Sequence, residues 1–211
     1  MLLPATAAGK ISLAGCSGSS LRKLDCKNTL VSSLEPLSLC TGLQELCCRN
    51  TSVSKLAPLS ACTLLLYFDC GSCKFLSDLS PLAACKALQR LNINGTRVES
   101  VTALSACTAL QELLCSSSRV ASLAPLASLA KLQRLHCNSS RVADLAPLRS
   151  CTALQELHCN GTRVNSIAVL AACTALRELS CNSTGVPVEQ KEQLCVALSG
   201  LQIIELQCGG G

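Results

Sequence analysis

The two histidines of the chain, His136 and His158, are side chains that can bind a metal ion or transfer a proton. They lie 22 residues apart, within stretches that otherwise resemble each other closely. Two adjacent imidazoles can bind zinc or copper. The equivalent positions in the stretches before and after them are Leu114 and Ser180, so neither a carboxylate nor a thiol is added there. We therefore expect the pair to be solvated or to contact a partner, and we predict no metal site.

The 18 cysteines are the second group with reactive chemistry. The segment 70–73, Cys-Gly-Ser-Cys, has the C-x-x-C spacing of redox and zinc motifs, but no second C-x-x-C is present to complete a zinc site. No Ser-His-Asp arrangement, phosphate loop or paired-carboxylate motif is visible. We therefore expect a chain that is not an enzyme and has no cofactor.

Composition limits how such a chain can fold. Only three residues are aromatic, Tyr67, Phe68 and Phe75, so a core must be built from aliphatic side chains. The net charge of +5 permits an acidic partner without requiring nucleic acid. No apolar run approaches the ~20 residues of a membrane helix, and we predict no membrane span. The N-terminus lacks a positive segment followed by a long apolar one, so we predict no signal peptide.

Self-similarity is the strongest feature of the sequence. Nine leucines open units of the form L-x-x-L-x-C-x-x-T-x-V, most of them 22 residues apart. The third unit has one extra residue near Phe75 and Leu76. We place Phe75 at position 11, which is Val in the other units. The opening leucines, position 1 of each unit, are Leu21, Leu43, Leu65, Leu88, Leu110, Leu132, Leu154, Leu176 and Leu201.

Within each unit, apolar positions 4 and 6 alternate with polar positions 3, 5 and 7, which is typical of a short strand with one buried face. The second half of the unit often contains proline, which cannot continue a strand in a sheet. Equal spacing stacks the strands in register, and neighbouring units bury each other's apolar faces. A hydroxyl or thiol at position 9 can then satisfy backbone groups where the chain leaves the strand.

These motifs resemble the leucine-rich repeat, and most closely the short 22-residue class of internalin-like proteins and regulatory subunits of protein phosphatase 1. The Cys- and Thr-rich form is similar to repeats of kinetoplastid parasite proteins. The resemblance implies an α/β solenoid: a right-handed, curved leucine-rich-repeat array with a parallel β-sheet on its concave side and short helical or extended turns on its convex side. It also implies binding to another macromolecule as the mode of action.

Three segments follow from this interpretation. Residues 1–20 form a degenerate N-terminal partial repeat, residues 21–186 form eight leucine-rich repeats, and residues 187–211 form a closing helix and a last strand. Residues 187–200 are predicted to be the helix, because Pro187 stands near its start, acidic residues follow early and Gly200 stands at its end. The last strand is predicted over 201–206, with Ile204 and Leu206 facing inward.

Fourteen cysteines occupy positions 6 and 20, seven at each, and are predicted to face inward as two ladders of packed thiols. Parallel side chains in register fit the disulfide dihedral poorly, so we expect reduced thiols and a cytoplasmic location. Cys47, at the outward position 5, is the thiol that we expect to react most readily. Five N-x-S/T sequons, at Asn50, Asn94, Asn138, Asn160 and Asn182, leave a secreted or cell-surface protein as the alternative.

Positions 3 and 5 are predicted to form the exposed concave face. At position 3 the charges alternate in sign from Arg90 to Glu156, so neighbours about 4.8 Å apart can pair across strands. Interface hot spots favour aromatic residues and arginine. The predicted partner-binding residues are Tyr67, Asp69, Arg90, Asn92, Glu112, Leu114, Arg134, His136, Glu156 and His158.

Position 10 adds a second charged surface, which we call the basic rim: Lys74, Arg97, Arg119, Arg141 and Arg163. It can attract phosphates or an acidic partner, but the stacking aromatics of nucleic-acid sites are almost absent. The sequence therefore predicts a monomeric, non-catalytic scaffold that binds a protein partner through the concave sheet. The alternatives are a secreted recognition protein with glycosylated sequons and a metal- or thiol-handling protein.

Overall fold

A nine-stranded, open, parallel β-sheet runs along one side of the computed structural model, which describes residues 20–203. The strands follow one another in chain order across the sheet, so each connection leads from one strand to its direct neighbour. This confirms the predicted solenoid. The strands are β1 Lys23–Asp25, β2 Glu45–Cys47, β3 Tyr67–Asp69, β4 Arg90–Asn92, β5 Glu112–Leu114, β6 Arg134–His136, β7 Glu156–His158, β8 Glu178–Ser180 and β9 Gln202–Ile203.

Each of the first eight strands comprises positions 3, 4 and 5 of its repeat. Their register keeps equal positions opposite each other, as in the pairing of Leu46 with Phe68 and of His136 with His158. Position 4 is buried in every one of these strands, whereas positions 3 and 5 lie on the opposite face. The predicted alternation of inward and outward side chains is therefore confirmed.

Seven five-residue 3-10 helices form the opposite side of the described chain. Five of them have proline in the first turn, where its missing N–H costs no intrahelical hydrogen bond. One leucine in each helix, such as Leu104, is fully buried in the core. The helices are Glu35–Leu39, Ala57–Ala61, Ser80–Ala84, Thr102–Ala106, Ala124–Ser128, Ala146–Ser150 and Ala168–Ala172.

The position-9 hydroxyls close the end of each strand. Six of them donate to the carbonyl oxygen of position 6 in their own repeat at 2.5–2.7 Å, as Ser118 Oγ does to Cys115 and Thr162 Oγ1 to Cys159. The sequence-based prediction that these side chains satisfy backbone groups is therefore confirmed. Ser140 is the exception, because its buried Oγ has no partner.

The two cysteine ladders lie in the core. The position-6 cysteines and six of the position-20 cysteines are at most 1 % exposed. Several position-20 thiols donate to a carbonyl oxygen of the preceding repeat, as Cys107 Sγ does to Leu82 at 3.4 Å and Cys173 Sγ to Leu148 at 3.3 Å. The ladders therefore add weak hydrogen bonds between neighbouring repeats to their apolar packing. None of the sixteen cysteines that the structure describes forms a disulfide.

Two sequence-based placements before the last strand are wrong. Cys195, counted with the position-20 cysteines, is exposed, because the longer eighth unit places it on a helix. Phe75, assigned to the inward Val position, is 57 % exposed, and Leu76 occupies the core instead. The extra residue of the third repeat shifts the chain by one position there, and Phe75 lies outside with the Arg97 guanidinium 5.7 Å from its ring centroid.

The C-terminal segment contains the predicted helix, α1 Val188–Ala197, with Pro187 at its N-cap and Gly200 in a left-handed conformation after its end. Its Leu194 covers the last repeat, and Gln190 Oε1 accepts a hydrogen bond from the backbone N–H of Ile167 at 2.9 Å. The predicted partial repeat before residue 20, Ile204 and Leu206 lie outside the described residues. The predicted register of the last strand is wrong by one residue, because Ile203 pairs with the inward Leu179 where Ile204 was expected. Across residues 20–203, no helix is long and apolar enough to cross a membrane.

Candidate binding face

The face of the sheet that points away from the core carries two rows of side chains, which we call the outer face. The position-3 row is Lys23, Glu45, Tyr67, Arg90, Glu112, Arg134, Glu156 and Glu178. The position-5 row is Asp25, Cys47, Asp69, Asn92, Leu114, His136, His158 and Ser180. Because the strands are in register, neighbours within a row are about one strand spacing apart, roughly 4.8 Å.

The two imidazoles stack on each other, with ring centroids 4.2 Å apart and planes inclined by 10°. His136 Nε2 lies 2.5 Å from Glu156 Oε1, and the same oxygen lies 3.4 Å from His158 Nε2. Glu178 Oε1 lies 2.6 Å from His158 Nε2. Carboxylates of the position-3 row therefore reach diagonally to imidazoles of the preceding strand.

Sequence reasoning missed this diagonal contact, because it compared each histidine only with neighbours in its own row. It also left Glu178 out of the predicted site. The signal was present in the sequence, because position 3 of the repeat that follows each histidine is a glutamate: Glu156 follows His136, and Glu178 follows His158. A long side chain can cross that distance to the next strand.

Ion pairs follow the position-3 row elsewhere on the outer face. Glu112 Oε2 accepts hydrogen bonds from Nε of Arg134 at 2.8 Å and from its Nη2 at 2.5 Å, and Lys23 lies 2.7 Å from Glu45. The predicted pairing of alternating charges is thus confirmed for Glu112 and Arg134. Arg90 is exposed and makes no ion pair within the described chain, because Glu112 is turned to the opposite neighbour.

Two of the predicted contact residues are buried and accept hydrogen bonds from the backbone two residues further along the chain. Asp69 is 6 % exposed and Asn92 is 9 % exposed. Asp69 Oδ1 accepts from the Gly71 N–H at 2.9 Å, and Asn92 Oδ1 accepts from the Asn94 N–H at 3.0 Å. The Tyr67 hydroxyl lies 3.3 Å from the Asp69 carboxylate, and partial burial together with that charge raises the pKa of Tyr67 to about 12.

Cys47 is only partly exposed at its outward position. Burial raises the pKa of its thiol, and the charges of Asp69 and Asp25 on the neighbouring strands raise it further. Cys195 is the exposed thiol among the described cysteines. The structure therefore favours Cys195 over Cys47 as the first thiol to be modified. The C-x-x-C pair, Cys70 and Cys73, is fully buried, as predicted.

The basic rim runs along one edge of the sheet. All five side chains are exposed. Backbone hydrogen bonds link the position-10 N–H groups to the preceding repeats, as from Arg119 to Val98 and from Arg141 to Val120, so the rim is in register. Arg119 is 3.3 Å from Glu99, the carboxylate that pairs with the rim. The rim is therefore a continuous line of positive charge with little internal neutralisation.

These features define the class of fold: a solenoid of leucine-rich repeats with a parallel sheet on one side and 3-10 helices on the other. Solved structures of that class are similar to it. The chain matches internalin C2 from Listeria monocytogenes at 24 % identity with a TM-score of 0.83, over 88 % of this chain and 81 % of that one.

Two more distant similarities have the same architecture. The functional domain of InlJ from Listeria monocytogenes, which includes a cysteine ladder, matches at 18 % identity and a TM-score of 0.69, over 92 % of this chain and 45 % of that one. A plant peptide hormone receptor, RGFR1 in complex with RGF2, matches at 16 % identity and a TM-score of 0.75, over 88 % and 32 %. This chain thus spans less than half the length of those two. No family model matches the chain, and no curated protein is significantly similar to it.

Proposed function

We propose that this chain is a non-catalytic scaffold that binds a protein partner through the outer face of its sheet. The observation that carries the proposal is the separation of two residue sets: inward positions build the core, whereas a contiguous set of outward side chains is left for contact. The proposed contact residues are Tyr67, Arg90, Glu112, Leu114, Arg134, His136, Glu156 and His158.

The centre of this surface has the chemistry of an interface hot spot. Tyr67 is an aromatic residue whose hydroxyl lies 3.3 Å from the Asp69 carboxylate. Arg90, on the next strand, is exposed and makes no ion pair within the described chain, and Leu114 is an apolar residue on the strand after that. Aromatic and arginine side chains dominate measured binding energies at interfaces. Asp69 and Asn92 are left out of the proposed contacts, because their side chains hold the ends of β3 and β4.

The basic rim supports a second contact, with acidic groups of the same partner. Like charges about one strand spacing apart repel each other, and an acidic segment laid along them relieves that repulsion. The proposal includes no nucleic acid, because Tyr67 is the one Phe, Tyr or Trp residue of the outer face and the two imidazoles stack on each other.

We also propose that the chain is monomeric and works in the cytoplasm. Support comes from the sixteen described cysteines, most of which are buried in the two ladders, where parallel thiols in register fit the disulfide dihedral poorly. Four sequon asparagines, Asn94, Asn138, Asn160 and Asn182, belong to a partly buried row in which Asn94, Asn138 and Asn160 accept backbone hydrogen bonds at 2.6–2.8 Å. That arrangement weighs against glycosylation. We retain the 22-residue class and the kinetoplastid-like form as parts of the proposal that rest on the sequence motifs.

Affinity purification from the source cell, with mass spectrometry of bound proteins, identifies candidate partners. Binding is then measured for Tyr67→Ala combined with Arg90→Ala and Arg134→Ala. Loss of hot-spot residues costs about 2 kcal/mol each, so we expect binding at least tenfold weaker, the change that ~1.4 kcal/mol produces.

The matched control is a rim variant with the same number of substitutions: Lys74→Ala, Arg141→Ala and Arg163→Ala. It tests the contribution of charge alone, and we expect a smaller loss that disappears at high salt. Undiminished binding by the Tyr67 triple variant, in protein shown to remain folded, would move the site from the outer face to the rim.

A further inference from the structure

We infer that His136, Glu156 and His158 form a binding site for a single divalent zinc ion on the outer face. One ligand atom from each residue, two imidazole nitrogens and a carboxylate oxygen, lies within 4.8 Å of the other two. The three side chains are 21–25 % exposed, so an ion can enter from solvent while the strands hold the ligands in place. This geometry revises the expectation of no metal site, which took account only of the position-5 row.

The carboxylates of two neighbouring strands favour the binding of a cation at this site. Glu156 and Glu178 lie directly opposite each other in the register of β7 and β8, and like charges in that arrangement are destabilising. Arg134 is turned to Glu112, and the Arg177 guanidinium donates to the carbonyl oxygens of Thr174 and Leu176. Within the described chain, neither Glu156 nor Glu178 therefore pairs with a lysine or an arginine.

The ligand set fits zinc. Two histidines and one glutamate, with a fourth position left for water, are a known zinc coordination, with metal–ligand distances of about 2.0–2.2 Å. Tetrahedral ligands at those distances are about 3.4 Å apart, which is the distance from Glu156 Oε1 to His158 Nε2. Magnesium and calcium prefer all-oxygen sites. The adjacent thiols of Cys137 and Cys159 point into the core and do not join the site.

Binding requires a small rearrangement. The contacts of His136 Nε2 with Glu156 Oε1 at 2.5 Å and of His158 Nε2 with Glu178 Oε1 at 2.6 Å are hydrogen bonds. The metal must therefore displace the proton of each bond to solvent, and the bonded atoms must move apart. The parallel rings must also splay until both nitrogens point at the ion. Partial exposure leaves room for both movements. Glu178, 2.6 Å from His158 Nε2, then lies close enough to accept a hydrogen bond from the metal-bound water.

Zinc titration followed by proton NMR of the imidazoles tests the inference directly, because the chain has only two histidines. The protein is kept reduced with a phosphine. We expect both sets of ring signals to change together and to saturate at one equivalent of zinc. Zinc should also raise the melting temperature, because binding to the folded state stabilises it.

Glu156→Gln keeps the size of the side chain and removes its charge, and His158→Asn removes one imidazole. We expect each to weaken zinc binding by at least about tenfold, the lower range for loss of even an outer-sphere partner. Glu45→Gln is the matched control, because it is the same change at the same repeat position beside Lys23, and it should leave zinc affinity unchanged.

The inference fails if the ring signals stay unmoved while the protein takes up zinc, because the ion would then sit on cysteine thiols. It also fails if the folded Glu156→Gln and His158→Asn variants bind zinc as tightly as the unmodified chain. Because the titration uses zinc alone, its outcome is independent of whether a protein partner is found.

Discussion

The two faces of the sheet differ in how much each repeat constrains the next. On the inward face, position 4 is apolar in all eight full repeats, and position 6 is cysteine in seven of them, with Ile93 as the exception. On the outer face, position 5 changes from Asp25 through Leu114 to His158. Inward side chains must fill the same space in every repeat, whereas outward ones touch mainly solvent and each other. Variation is therefore concentrated where it can serve binding.

The largest expected effect concerns the thiols of the inward face. Burial raises the pKa of Cys107 and Cys151 from the ordinary 9.0 to about 11, with the charge of Cys173 adding to the shift at Cys151. In the unfolded chain these thiols lose their protons near 9, so the folded state binds more protons between about pH 9 and 11. Stability therefore falls as pH rises through that window, by roughly 1.4 kcal/mol per pH unit for each such thiol.

Circular dichroism between pH 7 and 11 measures this effect, and we expect cooperative unfolding above about pH 9. Leu129 occupies the position-20 place in the fifth repeat, so leucine fits there. Cys107→Leu should therefore move the unfolding midpoint to higher pH. An unchanged midpoint in that variant would show that the thiols do not control alkaline stability.

The second-largest expected effect is the difference in stability between variants that carry a new charge on the inward face and on the outer face. Cys137→Asp buries a carboxylate without a partner at a fully buried position, and we expect a loss of about 3–5 kcal/mol or complete unfolding. Leu114→Asp, at the outward position of the adjacent strand, should change stability by less than about 1 kcal/mol. Urea denaturation measures both variants. Equal stabilities would mean that position 6 does not face the core.

Removal of apolar contact from the inward face has a smaller effect. Leu135 is fully buried, and Leu135→Ala should leave a cavity at a cost of about 2–5 kcal/mol. Thermal unfolding of this variant, compared with Leu30→Ala at an exposed leucine, gives the difference. If both substitutions lowered the melting temperature equally, burial in the array would not be the source of its stability.

The smallest expected effect compares two serines at the same repeat position and burial. Ser118 Oγ donates to the Cys115 carbonyl oxygen, whereas Ser140 Oγ has no partner, and both residues are 6 % exposed. Ser118→Ala should cost about 0.5–1.5 kcal/mol more than Ser140→Ala, because only the first substitution removes a hydrogen bond. Paired urea denaturation curves measure the difference. Identical midpoints would show that the hydrogen bonds of the position-9 hydroxyls do not stabilise the fold.

Much of the fold was predictable from the sequence, because repetition makes every neighbour of a residue known in advance. Once Leu24 and Cys26 alternate with polar residues and recur every 22 positions, the inward face, the parallel register and the role of Thr29 follow from one unit. The helix Val188–Ala197 was predictable from Pro187, the acidic residues that follow it and Gly200. The prediction failed at Phe75 and Leu76, where the extra residue breaks the repeat.

Only the tertiary structure decided which outward side chains meet. In the register of the sheet, Glu156 lies opposite Arg134, shares its strand with His158 and has His136 on the diagonal, so its carboxylate can reach more than one partner. The choice depends on rotamers: Arg134 turns to Glu112, and Glu156 turns diagonally to His136. Long exposed side chains have several staggered conformations of similar energy, so strand register limits their partners without selecting one.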